Sequence, residues 1–317
     1  MGNMRGEGCQ VLQDVSVVLG SVLSLFLMMG VGYVLARRKV LGQEVLPQLS
    51  KLLLYVVCPA IVVDSFQVER TGKVDGQLAV AGAALVGTYL LYMVLAQLCF
   101  SRRPQGERGL LRFASIYGNT GFMGLPLIQS VLGNEAMMVT VMSVGVFNVA
   151  TWTHGAACIG GRKQISLRKA VLNPGVLSFV VAVALYLLRL RLAWPVGNAV
   201  SHLANLNTPL AMVVIGAQMA GADWRTVIGS TKLYLVSFMK LIAMPAVTIL
   251  VLLPFDLDGM IFMPLVILSA CPTAGVSSLF CQLFGKDSSL AAHQVTLSTL
   301  LCMMTLPLVT LVARMLG

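Results

Sequence analysis

Runs of apolar residues, each about 20 residues long and separated by short polar gaps, cover almost the whole chain. A helix needs roughly 20 mainly apolar residues to cross the hydrocarbon core of a bilayer. Ten segments meet this requirement, and the gaps leave no room for an inserted soluble domain. They are residues 15–36, 46–66, 77–100, 110–132, 137–160, 172–190, 199–220, 233–253, 259–284 and 289–313. The pattern predicts an all-α polytopic membrane protein with ten transmembrane helices.

Composition agrees with this prediction and removes several classes of function. Of the 317 residues, 57% are hydrophobic and 11% are charged, whereas a soluble domain has about 25% charged residues. The net charge of +10 comes from basic residues in the gaps between apolar runs, so nucleic acid is not an expected partner. The seven cysteines are scattered without a CxxC pair. We therefore expect no disulfide framework, no metal site and no cofactor.

The distribution of basic residues predicts the orientation. Fourteen of the 22 Lys and Arg residues lie in or beside the odd-numbered gaps, and six lie in the even-numbered gaps and the tails. Because cytoplasmic loops are enriched in Lys and Arg, we expect both termini outside. Lys51 and Lys240 fall inside predicted spans. Lys51 lies near the inner end of its span and can extend to the interface, whereas Lys240 lies deeper, where a charge is a functional candidate.

The ten spans divide into two halves of five, residues 1–160 and 161–317. Because five is an odd number, the second half enters the membrane from the opposite side and is inverted relative to the first. Mid-span prolines occur at matching places, Pro59 in span 2 and Pro209 in span 7. Spans 4 and 9 are interrupted by "YGNTGFMGLP" at 117–126 and by "CPTAGVSS" at 271–278. Inverted repeats with matching interrupted helices are typical of secondary transporters.

These two interruptions form the candidate binding site. A broken helix exposes N–H groups at the N-terminus of its second half, and such ends attract anions. The alternative is that glycine and proline serve only close helix packing, and we favour it for Gly30 and Gly32. For two clusters at matching positions we favour a binding site. Its predicted residues are Asn119, Thr120, Gly121, Pro126, Pro272 and Thr273.

Polar residues in other spans form a second group of candidates. Asn148 in span 5 and Gln294 in span 10 either line the site or bond a neighbouring helix. His154 in span 5 is expected to make a structural hydrogen bond, with a proton relay as the alternative. Asp64, near the outer end of span 2, is either interfacial or the protonatable group of a proton-coupled carrier.

Two stretches resemble a known family. "YGNTGFMGLPLIQSVLG" resembles the fourth helix of the auxin efflux carrier family, in which an Asn-Thr pair precedes a Gly-x-Pro. "LSACPTAGVSSLFCQLFGKDSSLAAHQVTLSTLLCMMTLPLVTLVARML" resembles the last two helices of the family, with a proline break, a Gly-x-Asp turn, Ser-Thr-Leu and Leu-Pro. The resemblance covers nearly the whole chain.

The resemblance implies a fold and an activity. The family has ten helices in two inverted repeats, with helices 4 and 9 crossing at their prolines as in the NhaA antiporter and the bile-acid symporters. Helices 1, 2, 6 and 7 form a scaffold, and helices 3–5 and 8–10 form a moving transport domain. On the matching positions, Asn119, Pro126 and Pro272 lie at the crossover. The short loop "GRKQISLRK" between spans 5 and 6 resembles bacterial members, so we expect a bacterial cytoplasmic membrane.

The expected activity is secondary active transport of a small organic anion such as a mono- or dicarboxylate. Spans 4, 5, 9 and 10 contain no Asp or Glu, and a cation carrier would need acidic groups there. A membrane sensor that keeps the transporter fold and an intramembrane enzyme are the alternatives, although the sequence contains no HExxH motif. The expected partners are the anion and membrane lipids, with a homodimer left open.

Overall fold

The computed structural model describes residues 3–42, 44–161, 168, 172 and 174–316, and the side chains from Leu19 onward except that of Lys73. Most of the predicted loop "GRKQISLRK" lies outside the described residues. The described part is helical, with one isolated antiparallel bridge between Gly118 and Thr273. Seven of its helices are long and apolar enough to cross a membrane. The chain is therefore an all-α polytopic membrane protein, whereas the ten-span inverted repeat stays a prediction.

Helices cover all of the predicted spans, and spans 4 and 9 are each covered by two of them. The helices are α1 (Asn3–Arg37), α2 (Val45–Ser65), α3 (Gly72–Cys99), α4 (Gln105–Ile116), α5 (Thr120–Leu132), α6 (Asn134–Gly160), α7 (Pro174–Leu187), α8 (Trp194–Met219), α9 (Trp224–Gly229), α10 (Thr231–Phe255), α11 (Gly259–Ser269), α12 (Val276–Leu283) and α13 (Ser289–Leu316). The short helix α9 lies in a gap where the hydrophobic pattern predicts no span. Three apolar helices, α5, α7 and α11, are shorter than a full span.

Three prolines widen a helix without ending it. Proline lacks an N–H group, and its ring clashes with the carbonyl four residues earlier in a regular helix. In each case that carbonyl belongs to a wide π-type turn, which relieves the clash. The pairs of turn and proline are Leu53–Val57 with Pro59, Thr120–Gly124 with Pro126, and Met239–Ala243 with Pro245.

The helices pack in two groups. In the first group α1 lies along α8, and α2 packs against α7 and α8. In the second group α3 packs against α6, and α13 packs against α10 and α11. Buried aliphatic side chains of both groups form one continuous core, which also links α1 to α5 and to α13. Of the helices in the interrupted spans, α11 packs within the second group, and α5 contacts α1 and α8 of the first group and α6 of the second.

Two glycines allow α1 and α8 to approach closely. A Cβ atom on Gly32 would overlap the carbonyl group of Val213, and one on Gly216 would overlap that of Met29. Small residues at a helix interface let backbones approach in membranes, where burial of apolar surface supplies little attraction between helices. The interpretation of Gly32 as a packing residue is therefore confirmed. Gly30 lies on the same helix with open space around it.

We expect Gly216→Ala to destabilise the protein, because the added methyl group forces α1 and α8 apart at a cost of about 1–3 kcal/mol. The measurement is the midpoint of thermal unfolding of the purified protein in detergent. Gly30→Ala is the matched control, and its midpoint should stay the same or rise slightly, since alanine favours helix. Equal midpoints for the two variants would contradict the close approach.

Candidate functional site

The two interruptions lie against each other in the structure. The chain leaves α4 at Ile116 and enters α5 at Thr120, and it leaves α11 at Ser269 and enters α12 at Val276. The Asn119 N–H donates to the carbonyl oxygen of Pro272 at 2.7 Å, and the Ala274 N–H donates to that of Tyr117 at 2.9 Å. These two bonds form the antiparallel bridge, so each interruption satisfies backbone groups of the other.

Thr273 anchors the bridge to the neighbouring helices. Its side chain is fully buried, and its hydroxyl donates to the carbonyl oxygen of Ala114 in the last turn of α4 at 2.9 Å. Its N–H donates to the hydroxyl of Ser298 on α13 at 3.1 Å. The last carbonyls of a helix have no partner within that helix, and Thr273 supplies one. The hydroxyl hydrogen of Thr273 is therefore used in a structural bond, so the prediction that it is a free donor for a ligand is wrong for this structure.

Asn119 begins α5. Its side-chain oxygen accepts a hydrogen bond from the Phe122 N–H at 3.2 Å, which is the N-cap interaction that asparagine favours. The side chain is half-buried, and its Nδ2 group donates no hydrogen bond to another described residue. An N-cap uses only the oxygen of the amide. The Asn119 Nδ2 group therefore remains available as a donor beside the bridge.

Thr120 follows in the chain and is almost completely buried. Its side chain is 2% exposed, and its hydroxyl oxygen has no hydrogen-bond partner among the described residues. The Thr120 N–H donates to the carbonyl oxygen of Gly118 at 2.8 Å, across a tight turn centred on Asn119. Gly118 and Thr120 both line a narrow, partly open cavity of about 20 Å³, which is room for about one water molecule.

Lys240 lies in the wall of this cavity. It belongs to the wide turn of α10, its side chain is 1% exposed, and its Nζ donates to the carbonyl oxygen of Ser269 at 2.7 Å. Apolar residues of α3 and α11 complete the wall. The residues of the lining with polar side chains are Thr88, Tyr89, Tyr92, Thr120, Ser143, Lys240 and Ser269.

The structure places the other predicted residues of the interruptions, Pro272, Gly121 and Pro126, in different surroundings. Pro272 is buried and takes part in the bridge, and Gly121 lies half-buried in the first turn of α5. Pro126 lies inside α5, beyond its wide turn, whereas the interruption covers residues 117–119. The reason is that the π-type turn accommodates the proline, so that the helix continues through it.

The polar candidates outside the interruptions bond mainly within their own helix or to a neighbouring helix. The Asn148 amide donates to the Val144 carbonyl oxygen of its own helix at 2.9 Å, and the Gln294 amide of α13 donates to the Ser237 hydroxyl of α10 at 3.0 Å. The ring Nδ1 of His154 lies 3.0 Å from the Tyr117 hydroxyl, as expected of a structural hydrogen bond.

The two charged candidates in α2 lie away from the bridge in this structure. Lys51 is exposed near the start of the helix, and Asp64 is half-buried one residue before its end. Neither has a side-chain hydrogen bond to the described residues. Of the four predicted coupling residues, the structure places Lys240 beside the bridge, and His154 reaches it through Tyr117.

Sequence reasoning missed several residues of the site. Tyr89 and Tyr92 of α3 line the cavity, and the ring of Tyr117 lies 6.0 Å from that of Tyr89 between centroids. Their spacing of three residues on one helix, which places them on one face, was the available signal. Within the described ranges, no three His, Cys, Asp or Glu side chains come together as metal ligands do.

We expect Thr273→Val to lower the midpoint of thermal unfolding. The change leaves a buried carbonyl of α4 without its donor, which costs about 1–3 kcal/mol. Thr273→Ser keeps the hydroxyl and is the matched control, so it should unfold at a clearly higher temperature than Thr273→Val. Identical behaviour of the two variants would show that the hydrogen bond to Ala114 contributes nothing to stability.

Comparison with known proteins agrees with this architecture. A curated relative named "Putative malonate transporter" from Rhizobium meliloti (strain 1021) is 26% identical over 302 residues, which covers 91% of this chain and 93% of that protein. An "Uncharacterized transporter" of Methanothermobacter thermautotrophicus is 24% identical and covers 91% and 96%. The "Uncharacterized transporter YfdV" of Escherichia coli (strain K12) is 22% identical and covers 94% and 98%.

The family described as "Membrane transport protein" matches this chain at residues 17–166 and 162–310. Together these matches cover both interruptions, the bridge and Lys240. The family and the names of the relatives indicate a transporter and not an enzyme. The resemblance inferred from the interrupted helices is thus confirmed, and the chain belongs to the membrane transport protein family of auxin efflux carriers.

Proposed function

We propose that this protein is a secondary active transporter of small organic anions, mono- or dicarboxylates, that works by alternating access. The observation that carries the proposal is the bridge between residues 117–119 and 272–274, where two helices are interrupted at the same place. In transporters with broken helices, substrate binds where the half-helices meet near the bilayer midplane. Asn119, Thr120 and Gly121 are the substrate-binding residues on the α5 side, and Pro272 shapes the other side.

The charges around the bridge favour an anion. The helices α5 and α12 both begin at the bridge, and their N-terminal ends carry partial positive charge. Lys240 adds a full positive charge beside them. Residues 110–132 and 259–284 contain no Asp or Glu. The printed name of the Rhizobium relative, which mentions malonate, agrees with a small carboxylate.

Alternating access requires two groups of helices that move relative to each other. We assign α1, α2, α7 and α8 to a scaffold and the remaining long helices to a transport domain, in line with the packing described above. The scaffold corresponds to predicted spans 1, 2, 6 and 7, and the transport domain to spans 3–5 and 8–10. The proposed inverted repeat relates spans 1–5 to spans 6–10. Asn148 and Gln294 belong to the second group and support the site from outside the bridge.

The energy source follows from the charge of the substrate. A membrane potential is worth about 2.3 kcal/mol per charge per 100 mV, and an inside-negative potential drives an anion outward. Export as a uniport is therefore favoured, while uptake needs a proton or an exchanged anion. We propose transport without sodium. Asp64 and His154 are the candidate groups if a proton is carried.

Substitutions at Asn119 test the site. Asn119→Ser and Asn119→Asp both keep an oxygen that can cap α5, but neither keeps the Nδ2 donor, and aspartate adds a negative charge. We expect both proteins to stay folded. The flux of radiolabelled malonate in proteoliposomes should fall about tenfold in Asn119→Ser, and it should vanish in Asn119→Asp. Fluxes are measured at fixed potential with choline in place of sodium.

Normal malonate flux in both variants would contradict a binding role for Asn119. Strict dependence of the wild-type flux on sodium, or selectivity for an organic cation, would contradict the anion assignment. Thr153→Ser serves as the control variant, because it removes only a methyl group from a half-buried residue of α6 and keeps the hydroxyl, which bonds within its own helix.

The orientation is tested with single cysteines in a variant that lacks the native ones. Ser101 and Ala193 are exposed and lie in gaps that the charge distribution places inside and outside, respectively. In intact cells, an impermeant maleimide should label Ala193→Cys, and Ser101→Cys should react only after the membrane is made permeable. The reverse pattern would contradict the prediction that both termini lie on the outer side of the cytoplasmic membrane.

A further inference from the structure

Lys240 is a buried cation for which the structure shows no carboxylate partner. Its side chain is 1% exposed, and the ion pairs found among the described residues join Arg70 to Asp75 and Lys232 to Glu107. All residues of spans 4, 5, 9 and 10, which surround the bridge, lack an acidic side chain. The positive charge of Lys240 is thus not balanced by an acidic group of its surroundings.

Such a charge is costly unless something compensates it. Removing an ammonium from water costs several kcal/mol even after relaxation. The Ser269 carbonyl, at the negative end of α11, accepts one hydrogen bond from Lys240 and compensates part of this cost. An ammonium has three N–H donors, so two of them remain for a ligand.

The cavity beside Lys240 contains a second unused group. The Thr120 hydroxyl, 2% exposed, has no partner among the described residues. Among the other hydroxyls of the lining, that of Tyr92 bonds with Thr248. Those of Thr88, Ser143 and Ser269 donate to carbonyls of their own helices, whereas the Tyr89 hydroxyl has no hydrogen bond to a described residue. The wall thus combines an unbalanced ammonium with the unpaired hydroxyls of Thr120 and Tyr89.

Gly118 keeps the ammonium at the bridge. A Cβ atom at this position would lie 3.0 Å from both Cε and Nζ of Lys240 and 3.2 Å from the carbonyl oxygen of Cys271. Even an alanine there would require Lys240 or the Cys271 carbonyl to shift by a few tenths of an ångström. The glycine places a positive charge against the backbone that connects α4 to α5.

We propose that Lys240 and Thr120 bind one carboxylate group of the transported anion in this cavity. A carboxylate has two oxygens, which accept a charge-assisted hydrogen bond from the ammonium and a second one from the hydroxyl. It supplies the negative charge that the surroundings lack and accepts hydrogen bonds from Lys240 and Thr120. The proposal rests on the proposed function and identifies the residues that recognise the charge of the substrate.

The probes are malonate and malonamide, its neutral diamide of the same length, which has no carboxylate. Binding is measured by the ligand-induced rise in thermal midpoint of the purified full-length protein and by competition for malonate flux in proteoliposomes. In the wild type we expect malonate to bind at least about tenfold more tightly than malonamide. In Lys240→Met, which keeps the side-chain length and removes the charge, malonate should bind about tenfold more weakly than in the wild type, and the preference should fall to about twofold or less.

Two further lysine variants make the result specific. Lys240→Arg keeps the charge and should retain part of the preference for malonate. Lys286→Met removes an exposed lysine between α12 and α13 and should leave both affinities unchanged. A loss of preference in Lys286→Met as large as in Lys240→Met would overturn the assignment, because it would show a general effect of net charge.

Thr120→Val provides an independent measurement if Lys240→Met fails to fold. Removing an unpaired buried hydroxyl should leave the midpoint of the ligand-free protein unchanged or raise it, while malonate binds about three- to tenfold more weakly. A structural role for this hydroxyl would instead lower the ligand-free midpoint and leave the affinity for malonate unchanged, and that result would overturn the proposal.

The outcomes separate this inference from the proposed function. If the wild type transports malonate and Lys240→Met keeps the full preference over malonamide, the carboxylate site is wrong and the transport function stands. If the wild type neither binds nor transports any mono- or dicarboxylate, both are wrong. Loss of preference in Lys240→Met together with weaker binding in Thr120→Val supports the site.

Discussion

A backbone that leaves its helix inside a bilayer has to pair its N–H and carbonyl groups without water. In this protein two interruptions, separated by more than 150 residues in the chain, pair with each other through the Asn119–Pro272 and Ala274–Tyr117 hydrogen bonds. Thr273 adds a bond to the end of α4 and accounts for one further carbonyl. The rest of the site depends on this pairing, because it satisfies backbone groups that the four helix ends would otherwise leave without a partner.

The same pairing sets the electrostatics of the site. Two helices end at the bridge and two begin there, so partial charges of both signs come close together. Lys240 donates to the negative end of α11, while the N-terminal ends of α5 and α12 carry partial positive charge. Burial strengthens these interactions, since little water screens them. The small anion that we propose as substrate is a ligand that such an arrangement favours.

The packing around the bridge combines rigid and adaptable contacts. Close glycine contacts hold α1 against α8, and the aromatic rings of Phe113 and Tyr117 lie 4.7 Å apart beside the bridge. The wide turns of α2, α5 and α10 each precede a proline. Wide turns of this kind are frequent at functional sites, and two of them, those holding Thr120 and Lys240, lie at the cavity.

The sequence by itself determined the class of the protein, the positions of its helices and the presence of two interruptions, because apolar run length and glycine–proline clusters act locally. It identified Asn119, Thr120 and Pro272, since polar and helix-breaking residues are rare in spans. Only the tertiary structure showed that Pro126 lies within α5, that the Thr273 hydroxyl is bonded to Ala114, and that Lys240 is buried beside Gly118. These properties depend on which distant groups meet: a lysine is buried or extends to water according to the neighbours that pack around it.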